Sequence, residues 1–265
     1  MAFRSALITG ASSGIGEAFA RGLPRSTALL LAGRDRDRLS KLAQELTSPG
    51  RVVRIVTADL SDDQERGAAI AAAESAAVDL VINNAGVGRL GRVIENAPER
   101  ESEIVKVNAL TPVEICRALI PGMLRRAEAR QNQPEGEPGG RAGIINVSSA
   151  AAFGPMPFFA TYAASKAFLL HYTEALAEEL SDRPIDILAL CPGATKTRFF
   201  ERAGIEHLGF SMHEPDRVVR EGLQALGHRT VHIVGPGNYL ATAAMRFLPR
   251  RIVTAAVESV TKKWS

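Results

Sequence analysis

The amino-acid sequence predicts an α/β fold, a doubly wound sandwich of three layers around a mainly parallel sheet of seven strands. Short runs rich in valine, isoleucine and leucine alternate with segments of helical periodicity, and a glycine-rich turn follows the first run. Because these runs are brief and apolar, they are typical of strands that helices cover on both faces. The predicted strands comprise residues 6–9, 28–33, 52–58, 79–83, 143–147, 185–191 and 231–234.

The segments between the strands supply the two helical layers. They comprise residues 14–23, 36–46, 62–76, 99–129, 162–180 and 215–226. Ser61 precedes Asp62 and Asp63, which predicts an N-cap followed by acidic residues in the first helical turn. Alternation of strand and helix requires right-handed crossovers and therefore a parallel sheet.

Chain length and the continuity of the pattern favour one domain over residues 1–265. A chain of 265 residues can bury one substantial core. The polar segment 131–140, rich in proline and glycine, interrupts the series. Because the patterns on both sides continue one series, we expect a surface insertion rather than a linker between domains.

Composition and charge exclude several classes of protein. A net charge of +3 without a dense lysine and arginine block argues against nucleic-acid binding. Cys116 and Cys191 lie in apolar segments without metal-ligand spacing, so we expect buried thiols and a cytoplasmic location. The five histidines form no tight ligand cluster, so no metal site is expected, and no apolar run is long enough to span a bilayer.

The turn after the first strand carries the first chemical signal. Gly10, Gly14 and Gly16 lie between this strand and the first predicted helix. Glycines there permit a tight turn, close approach of the backbone to a pyrophosphate, and close packing of helix on strand. The N–H groups at the start of the helix would then face the phosphates. The pattern indicates a dinucleotide site, with a purely structural turn as the alternative.

The spacing Thr9-Gly10-x-x-x-Gly14-x-Gly16 resembles the signature of the short-chain dehydrogenase/reductase family, and further motifs follow in the family's order. They are the Asn-Asn-Ala-Gly run 83–86, Asn108, Ser149, the pair Tyr162 and Lys166, and Pro192-Gly193 with Thr195. Together they cover residue 3 to about residue 235. The resemblance implies a Rossmann fold, a nicotinamide cofactor, and a homodimer or homotetramer formed through helices 99–129 and 162–180.

The resemblance also assigns the cofactor-binding residues. They are Gly10, Ser12, Ser13, Gly14, Ile15, Gly16, Arg34, Asp59, Leu60, Asn84, Ala85, Gly86, Tyr162, Lys166, Pro192, Gly193 and Thr195. Asp59 matches the family's adenine-contacting aspartate, although its place after a strand also suits helix capping.

Arg34, at the end of the second strand, determines the predicted cofactor. A carboxylate there usually binds the ribose 2′-hydroxyl of NAD, whereas an arginine accommodates the 2′-phosphate of NADP. Since a guanidinium fork suits phosphate oxygens, we expect NADP(H). However, Asp35 could approach the ribose, and Ser13 stands where many NADP-preferring relatives have a second basic residue. NAD(H) therefore stays open as the alternative.

Four residues are predicted to be catalytic. Tyr162 and Lys166 lie four apart at the start of a helix, which places the ammonium group near the phenol. A nearby positive charge favours phenolate, so we expect Lys166 to lower the pKa of Tyr162 from about 10. Ser149 is expected to hold the substrate oxygen, and the family's serine-to-tyrosine interval selects it over Ser148. The resemblance implies that Asn108 fixes Lys166 through main-chain and water contacts.

Two apolar segments are predicted to line the substrate pocket. Segment 150–160 contains Phe153, Met156, Phe158 and Phe159, and the lid, about residues 196–213, contains Phe199, Phe200, Leu208, Phe210 and Met212. An aromatic lining favours an apolar carbonyl compound or alcohol as the small-molecule substrate. The alternative is that half of these side chains pack in the core or in a dimer contact.

The tail, residues 239–264, combines apolar positions with basic residues at 250–251 and 262–263. We first expect it to pack on the subunit or on a partner. The alternative is a weak peripheral contact with a membrane surface.

These observations predict an oxidoreductase that reduces an apolar ketone or aldehyde with NADPH, or oxidises the alcohol, with Tyr162 as proton donor or acceptor. Two alternatives stay open: a non-redox isomerase, lyase or dehalogenase of the same fold, and a non-catalytic NADP sensor or scaffold. The complete set of Asn108, Ser149, Tyr162 and Lys166 argues against a sensor. The intact glycine turn argues against a dehalogenase.

Overall fold

Seven parallel strands form one sheet at the centre of the protein. A computed structural model describes residues 3–131, 140–205 and 212–264. The strands are β1 (Ser5–Thr9), β2 (Ala28–Gly33), β3 (Val53–Thr57), β4 (Leu80–Asn83), β5 (Ala142–Val147), β6 (Ile185–Cys191) and β7 (Val231–Ile233). Their order is β3-β2-β1-β4-β5-β6-β7, and every neighbouring pair is parallel. The predicted doubly wound Rossmann fold is confirmed.

Helices cover both faces of the sheet. They are α1 (Gly14–Gly22), α2 (Arg36–Leu46), α3 (Asp63–Ser75), α4 (Pro98–Val105), α5 (Thr111–Gln131), α6 (Ala160–Glu179), α7 (Phe199–Ala203), α8 (Pro215–Ala225), α9 (Pro236–Phe247) and α10 (Arg250–Thr261). On one face, α1 and α8 contribute Phe19 and Val218 to the core; on the other, α5 and α6 contribute Ile115 and Leu176. Every residue of β5 and β6 is buried as a result, which explains why both are mostly apolar, with Asn146 and Asp186 as the polar exceptions.

The predicted helix 99–129 is wrong in one respect, because it is interrupted. α4 ends at Val105, residues Lys106–Leu110 form a π-helical turn, and α5 begins at Thr111. Such turns occur frequently at functional sites, and this one contains the buried Asn108. One wider turn shifts the helical phase by about one residue, which is too little for sequence periodicity to reveal.

The N-cap of α3 lies one residue later than predicted. Asp62, rather than Ser61, accepts hydrogen bonds from the main-chain N–H groups of Gln64 and Glu65, both at 2.9 Å. A carboxylate adds a negative charge that the helix N-terminus favours, whereas a hydroxyl does not. The Ser61 hydroxyl donates instead to Asp59.

The direction of winding reverses at β1, which pairs with β2 on one side and with β4 on the other. Loops that leave the carboxyl ends of β1 and β4 therefore diverge and leave a crevice between them. Ligands of open α/β sheets bind in this crevice. The predicted glycine turn follows β1, and Asn84 follows β4, so both lie at its edge.

Three further expectations concern the polar insertion, the oligomeric state and the membrane. Of the predicted insertion 131–140, residues 132–139 lie outside the described part of the chain. The homodimer or homotetramer stays a prediction. On α6, one of the helices expected to form the subunit contact, the exposed Phe168 stacks on Tyr172. None of the described helices is both long and apolar enough to cross a membrane.

Candidate active site

A cavity of about 1230 Å³ opens at the carboxyl ends of β1, β4 and β5. Its lining includes a polar group around Arg34 and Asp59 and an apolar group around Tyr162 and Trp264. Pockets for single small molecules commonly have volumes of about 300–1,000 Å³. The volume and the two kinds of lining therefore suit an extended polar ligand together with a second, apolar molecule.

The glycine turn is shaped for close approach of a ligand. Gly10 and Gly14 have φ angles of +66° and +60°, in the region that favours glycine. A Cβ atom at Gly16 would lie 2.4 Å from the Gly10 carbonyl oxygen, so this glycine lets α1 pack on the turn. Gly16 does not line the cavity. The other predicted cofactor-binding residues of this turn do line it, and they are Gly10, Ser12, Ser13, Gly14 and Ile15. The Ser13 side chain does not cap α1, so a phosphate can take that place.

The loop after β4 is tied to the glycine turn through Thr9. The Thr9 hydroxyl accepts hydrogen bonds from the main-chain N–H groups of Asn84 and Ala85, each at 3.0 Å. The Asn84 side-chain amide donates to the Thr9 carbonyl at 2.9 Å. Asn84, Ala85 and Gly86 all line the cavity, so the two sides of the crevice are held in one geometry.

Arg34 lies at the cavity beside acidic groups. Its guanidinium is 2.9 Å from a carboxylate oxygen of Glu103 and 3.7 Å from one of Asp59. Because the Arg34 side chain is 48% exposed, solvent screens these ion pairs and they hold it weakly. Asp35 accepts the main-chain N–H of Arg38 at 3.1 Å and so caps α2. Arg34 can therefore reorient toward a phosphate, while Asp35 is already engaged.

Asp59 and Leu60 line the cavity and are held in place by neighbouring polar side chains. Burial opposes ionisation of Asp59, but hydrogen bonds from Ser61 and the nearby Arg34 charge hold its pKa below the ordinary value. The Leu60 carbonyl accepts a hydrogen bond from the buried Arg66 at 3.0 Å. Sequence reasoning missed Arg66 because its helical position resembles that of an ordinary surface cation.

Tyr162 and Ser149 meet within the cavity. Ser149 follows β5, Tyr162 lies in the first turn of α6, and both line the cavity. The Tyr162 ring packs against Phe159 and Phe199, with centroids 4.5 and 5.1 Å apart. Burial raises the pKa of Tyr162 to about 12, although the nearby Ser149 hydroxyl acts in the opposite direction.

The prediction that Lys166 lowers the pKa of Tyr162 is wrong for the protein without a bound cofactor. The Lys166 ammonium lies 5.9 Å from the centre of the Tyr162 ring and donates to the Val147 carbonyl at 2.9 Å. Burial lowers the pKa of Lys166 to about 8, so its own charge is disfavoured. Desolvation dominates for both groups, and the phenol stays protonated at neutral pH. The four-residue spacing predicted proximity but carried no information on burial.

Asn108 lies behind the cavity rather than in its lining. Its amide oxygen accepts the N–H of Val87 at 2.9 Å, and its amide nitrogen donates to the Val87 carbonyl at 2.9 Å and to the Ser165 hydroxyl at 3.0 Å. Ser165 donates in turn to the Tyr162 carbonyl at 2.7 Å. None of the described contacts joins Asn108 to Lys166. Asn108 therefore holds the loop at Val87 and the first turn of α6.

The loop after β6 carries Pro192, Gly193 and Thr195, which all line the cavity. The Thr195 hydroxyl donates to the Gly193 carbonyl at 3.0 Å. A Cβ atom at Gly193 would lie 2.3 Å from the side-chain nitrogen of Asn238, so α9 packs directly on this loop. A larger residue at position 193 would require the Asn238 side chain to move.

The predicted aromatic walls are correct in part. Cavity-lining members of the two segments are Met156, Phe159, Phe199 and Phe200, and Phe158 and Met212 pack in the same apolar cluster. Phe153 packs instead near Leu170 and Cys191, because the 3₁₀ turn Ala150–Phe153 directs it toward α6 and β6. Leu208 and Phe210 lie outside the described residues.

Both cysteines are buried free thiols, as predicted. Burial raises the pKa of Cys116 and of Cys191 to about 12, so neither is a reactive thiolate. Across residues 3–131, 140–205 and 212–264, no group of three histidine, cysteine, aspartate or glutamate side chains could hold a metal ion.

A doubly wound parallel sheet, a glycine turn at its crevice and a cluster of Ser149, Tyr162 and Lys166 define a dinucleotide-binding oxidoreductase. Comparison with known proteins agrees, since the family model described as short chain dehydrogenase matches residues 4–206. The chain belongs to the short-chain dehydrogenase/reductase family. It is an NAD(P)-dependent oxidoreductase.

Three relatives illustrate this placement. A 1-deoxy-11-beta-hydroxypentalenate dehydrogenase from Streptomyces exfoliatus is 37% identical over 199 residues, which cover 73% of this chain and 68% of the relative. A short-chain dehydrogenase from Sphingobium yanoikuyae, solved with NADPH, is 28% identical with a TM-score of 0.78, covering 93% of this chain and 96% of that one. A 3-ketoacyl-(acyl-carrier-protein) reductase from Brucella melitensis, solved with NADH, is 28% identical with a TM-score of 0.73, covering 89% and 98%. The cofactor is thus NADP(H) or NAD(H).

Proposed function

We propose that this oxidoreductase reduces an apolar ketone or aldehyde with NADPH, or catalyses the reverse oxidation of the alcohol. The observation that carries the proposal is the position of Tyr162 and Ser149, which both line an aromatic part of the cavity. A carbonyl oxygen placed at these two hydroxyl groups would accept hydrogen bonds from both. The rest of such a substrate would contact Phe159 and Phe199.

Tyr162 donates the proton in reduction. Because burial keeps the phenol protonated at neutral pH, it is poised as an acid. Ser149 holds the substrate oxygen and stabilises the negative charge that develops on it. When bound, the nicotinamide supplies or accepts the hydride, and its oxidised form adds a positive charge that favours the phenolate. In the oxidative direction, Tyr162 takes the proton from the alcohol.

Preference for NADPH is supported by Arg34. Its guanidinium lines the cavity next to Asp59 and is 48% exposed, so solvent screens its ion pairs. A 2′-phosphate would offer a stronger, bidentate partner. The glycine turn would hold the pyrophosphate against the start of α1.

Oxidation of NADPH, followed by absorbance of the reduced nicotinamide, tests the proposal with a panel of apolar ketones, apolar aldehydes and small polar carbonyl compounds. We expect turnover of apolar members. The reductive rate should hold through neutral pH and fall only as pH approaches about 12, where the buried Tyr162 loses its proton. Tight binding of NADPH without turnover of any compound would contradict the proposal and favour a sensor.

We also propose that the corner between α9 and α10 contacts anionic membrane surfaces. Phe247 is 88% exposed, and Leu240 and Leu248 are exposed near it. Arg250 and Arg251 add two exposed positive charges at the same corner. Apolar side chains beside cations bind the interface of anionic bilayers.

Sedimentation with phosphatidylglycerol vesicles tests this contact. Phe247→Ser should lower the partition coefficient about tenfold or more, since burial of a phenylalanine contributes about 1.5–3 kcal/mol. Phe168→Ser, at an exposed phenylalanine of α6, is the matched control and should bind like the parent. Equal binding of parent and Phe247→Ser would refute the contact.

A further inference from the structure

α10 forms a wall of the cavity that no sequence pattern predicted. Five residues at the end of the chain line the cavity: Ala256, Val257, Val260, Thr261 and Trp264. Their spacing, 256–260–264 and 257–261, places them on one face of α10 and its continuation. Ile252, earlier on the same helix, is exposed and does not line the cavity. Ile252 lies one turn before Ala256 on the same face, so only the part of this face from residue 256 onward lines the cavity.

Close packing holds α10 in this position. Thr261 is fully buried and Val253 is 5% exposed. A Cβ atom at Gly154 would lie 3.4 Å from both Val253 Cγ1 and Met245 Sδ. Both tail helices thus pack on the turn that follows Ser149, so the wall and the substrate-holding hydroxyl belong to one packed unit.

The wall offers apolar atoms to a ligand. The Thr261 hydroxyl donates to the Val257 carbonyl at 3.0 Å, and the Thr242 hydroxyl donates to the Asn238 carbonyl at 2.9 Å. Both hydroxyl groups are therefore used within their own helices. Trp264 packs with the apolar cluster that contains Tyr162. A ligand whose carbonyl group lies at Tyr162 would consequently direct its body against apolar carbon atoms.

We propose that α10, chiefly through Val257 and Trp264, selects bulky, neutral, apolar carbonyl compounds of at least bicyclic size. The proposal rests on the reductase function and names its substrate class. An indole provides a large, flat contact surface at small entropic cost, which suits a fused ring system. The family model ends at residue 206, so this wall lies in a part of the chain that the model does not cover.

Steady-state kinetics with decalone, a bicyclic ketone, and with butanone, a small one, test the wall. Trp264→Ala should raise KM for decalone about tenfold or more, because loss of even one methylene contact changes specificity by about 10–200-fold. The ratio of kcat/KM for decalone to kcat/KM for butanone should fall in the same variant. Trp264→Phe should restore most of the affinity for decalone, and Ile252→Ala should match the parent. An unchanged KM for decalone in Trp264→Ala would overturn the proposal.

Fluorescence supplies a readout that needs no turnover, because Trp264 is the single tryptophan of the chain. Decalone added to protein saturated with NADP⁺ should shift the tryptophan emission saturably in the parent and in Ile252→Ala. A shift without reduction of any carbonyl compound would support the wall and refute the reductase function. Reduction of decalone without any shift would refute the wall and leave the reductase function standing.

Discussion

Replacement of Tyr162 by phenylalanine should lower kcat for NADPH-dependent reduction by about 10²–10⁴-fold, the range for loss of a positioned proton donor. The ring keeps its packing against Phe159 and Phe199, so the shape of the cavity should persist. Affinity for NADPH should therefore change little. Steady-state rates and fluorescence titration of NADPH on the same preparation separate the two quantities.

Tyr172→Phe is the matched control for this substitution. Tyr172 lies on the same helix, α6, but stacks on Phe168 and does not line the cavity. Its variant should retain the parent rate. Near-parent turnover by Tyr162→Phe, with NADPH affinity intact, would show that another group transfers the proton.

Replacement of Arg34 by alanine should weaken NADPH binding by about ten- to a hundredfold, because hydrogen bonds to charged groups contribute about 1.5–3 kcal/mol. Binding of NADH should change far less, since NADH lacks the 2′-phosphate. The exposure of Arg34 to solvent places the expected effect toward the lower part of that range. Calorimetric titration of both cofactors measures the two affinities.

Arg36→Ala is the control for the loss of one positive charge. Arg36 is exposed at the start of α2 and does not line the cavity. It should leave the ratio of NADPH to NADH affinity unchanged. An equal loss of affinity for both cofactors in Arg34→Ala would contradict a role in 2′-phosphate recognition and indicate a general effect of charge.

The sheet and the strand ends that form the site could be predicted from the sequence because both depend on local patterns. Short runs rich in valine, isoleucine and leucine identified all seven strands, and the glycine spacing identified the turn after β1. The order of the motifs then predicted that Ser149, Tyr162 and Lys166 lie together at the carboxyl edge of the sheet, where the structure places them. The interruption of the helix at Asn108 was not predicted, since one wider turn leaves the periodicity almost unchanged.

Contacts between segments distant in the chain could not be predicted in the same way. The ion pairs of Arg66 with Glu114 and of Arg34 with Glu103 depend on how the helices pack together and on the sheet. The approach of Asn238 to Gly193 depends on the path of the tail. None of these pairs has a spacing that a local pattern could reveal.

The sequence by itself determined the succession of strands and helices along the chain, the glycine turn and the identity of the candidate catalytic tyrosine. Each of these depends on a periodicity or a short motif that extends over only a few residues. Only the tertiary structure decided the protonation of that tyrosine and the shape of the space beside it. Burial raises the pKa of Tyr162 to about 12, and α10 returns to place Trp264 in the cavity wall. Desolvation and enclosure both arise from atoms that are far away along the chain and become neighbours only when it folds.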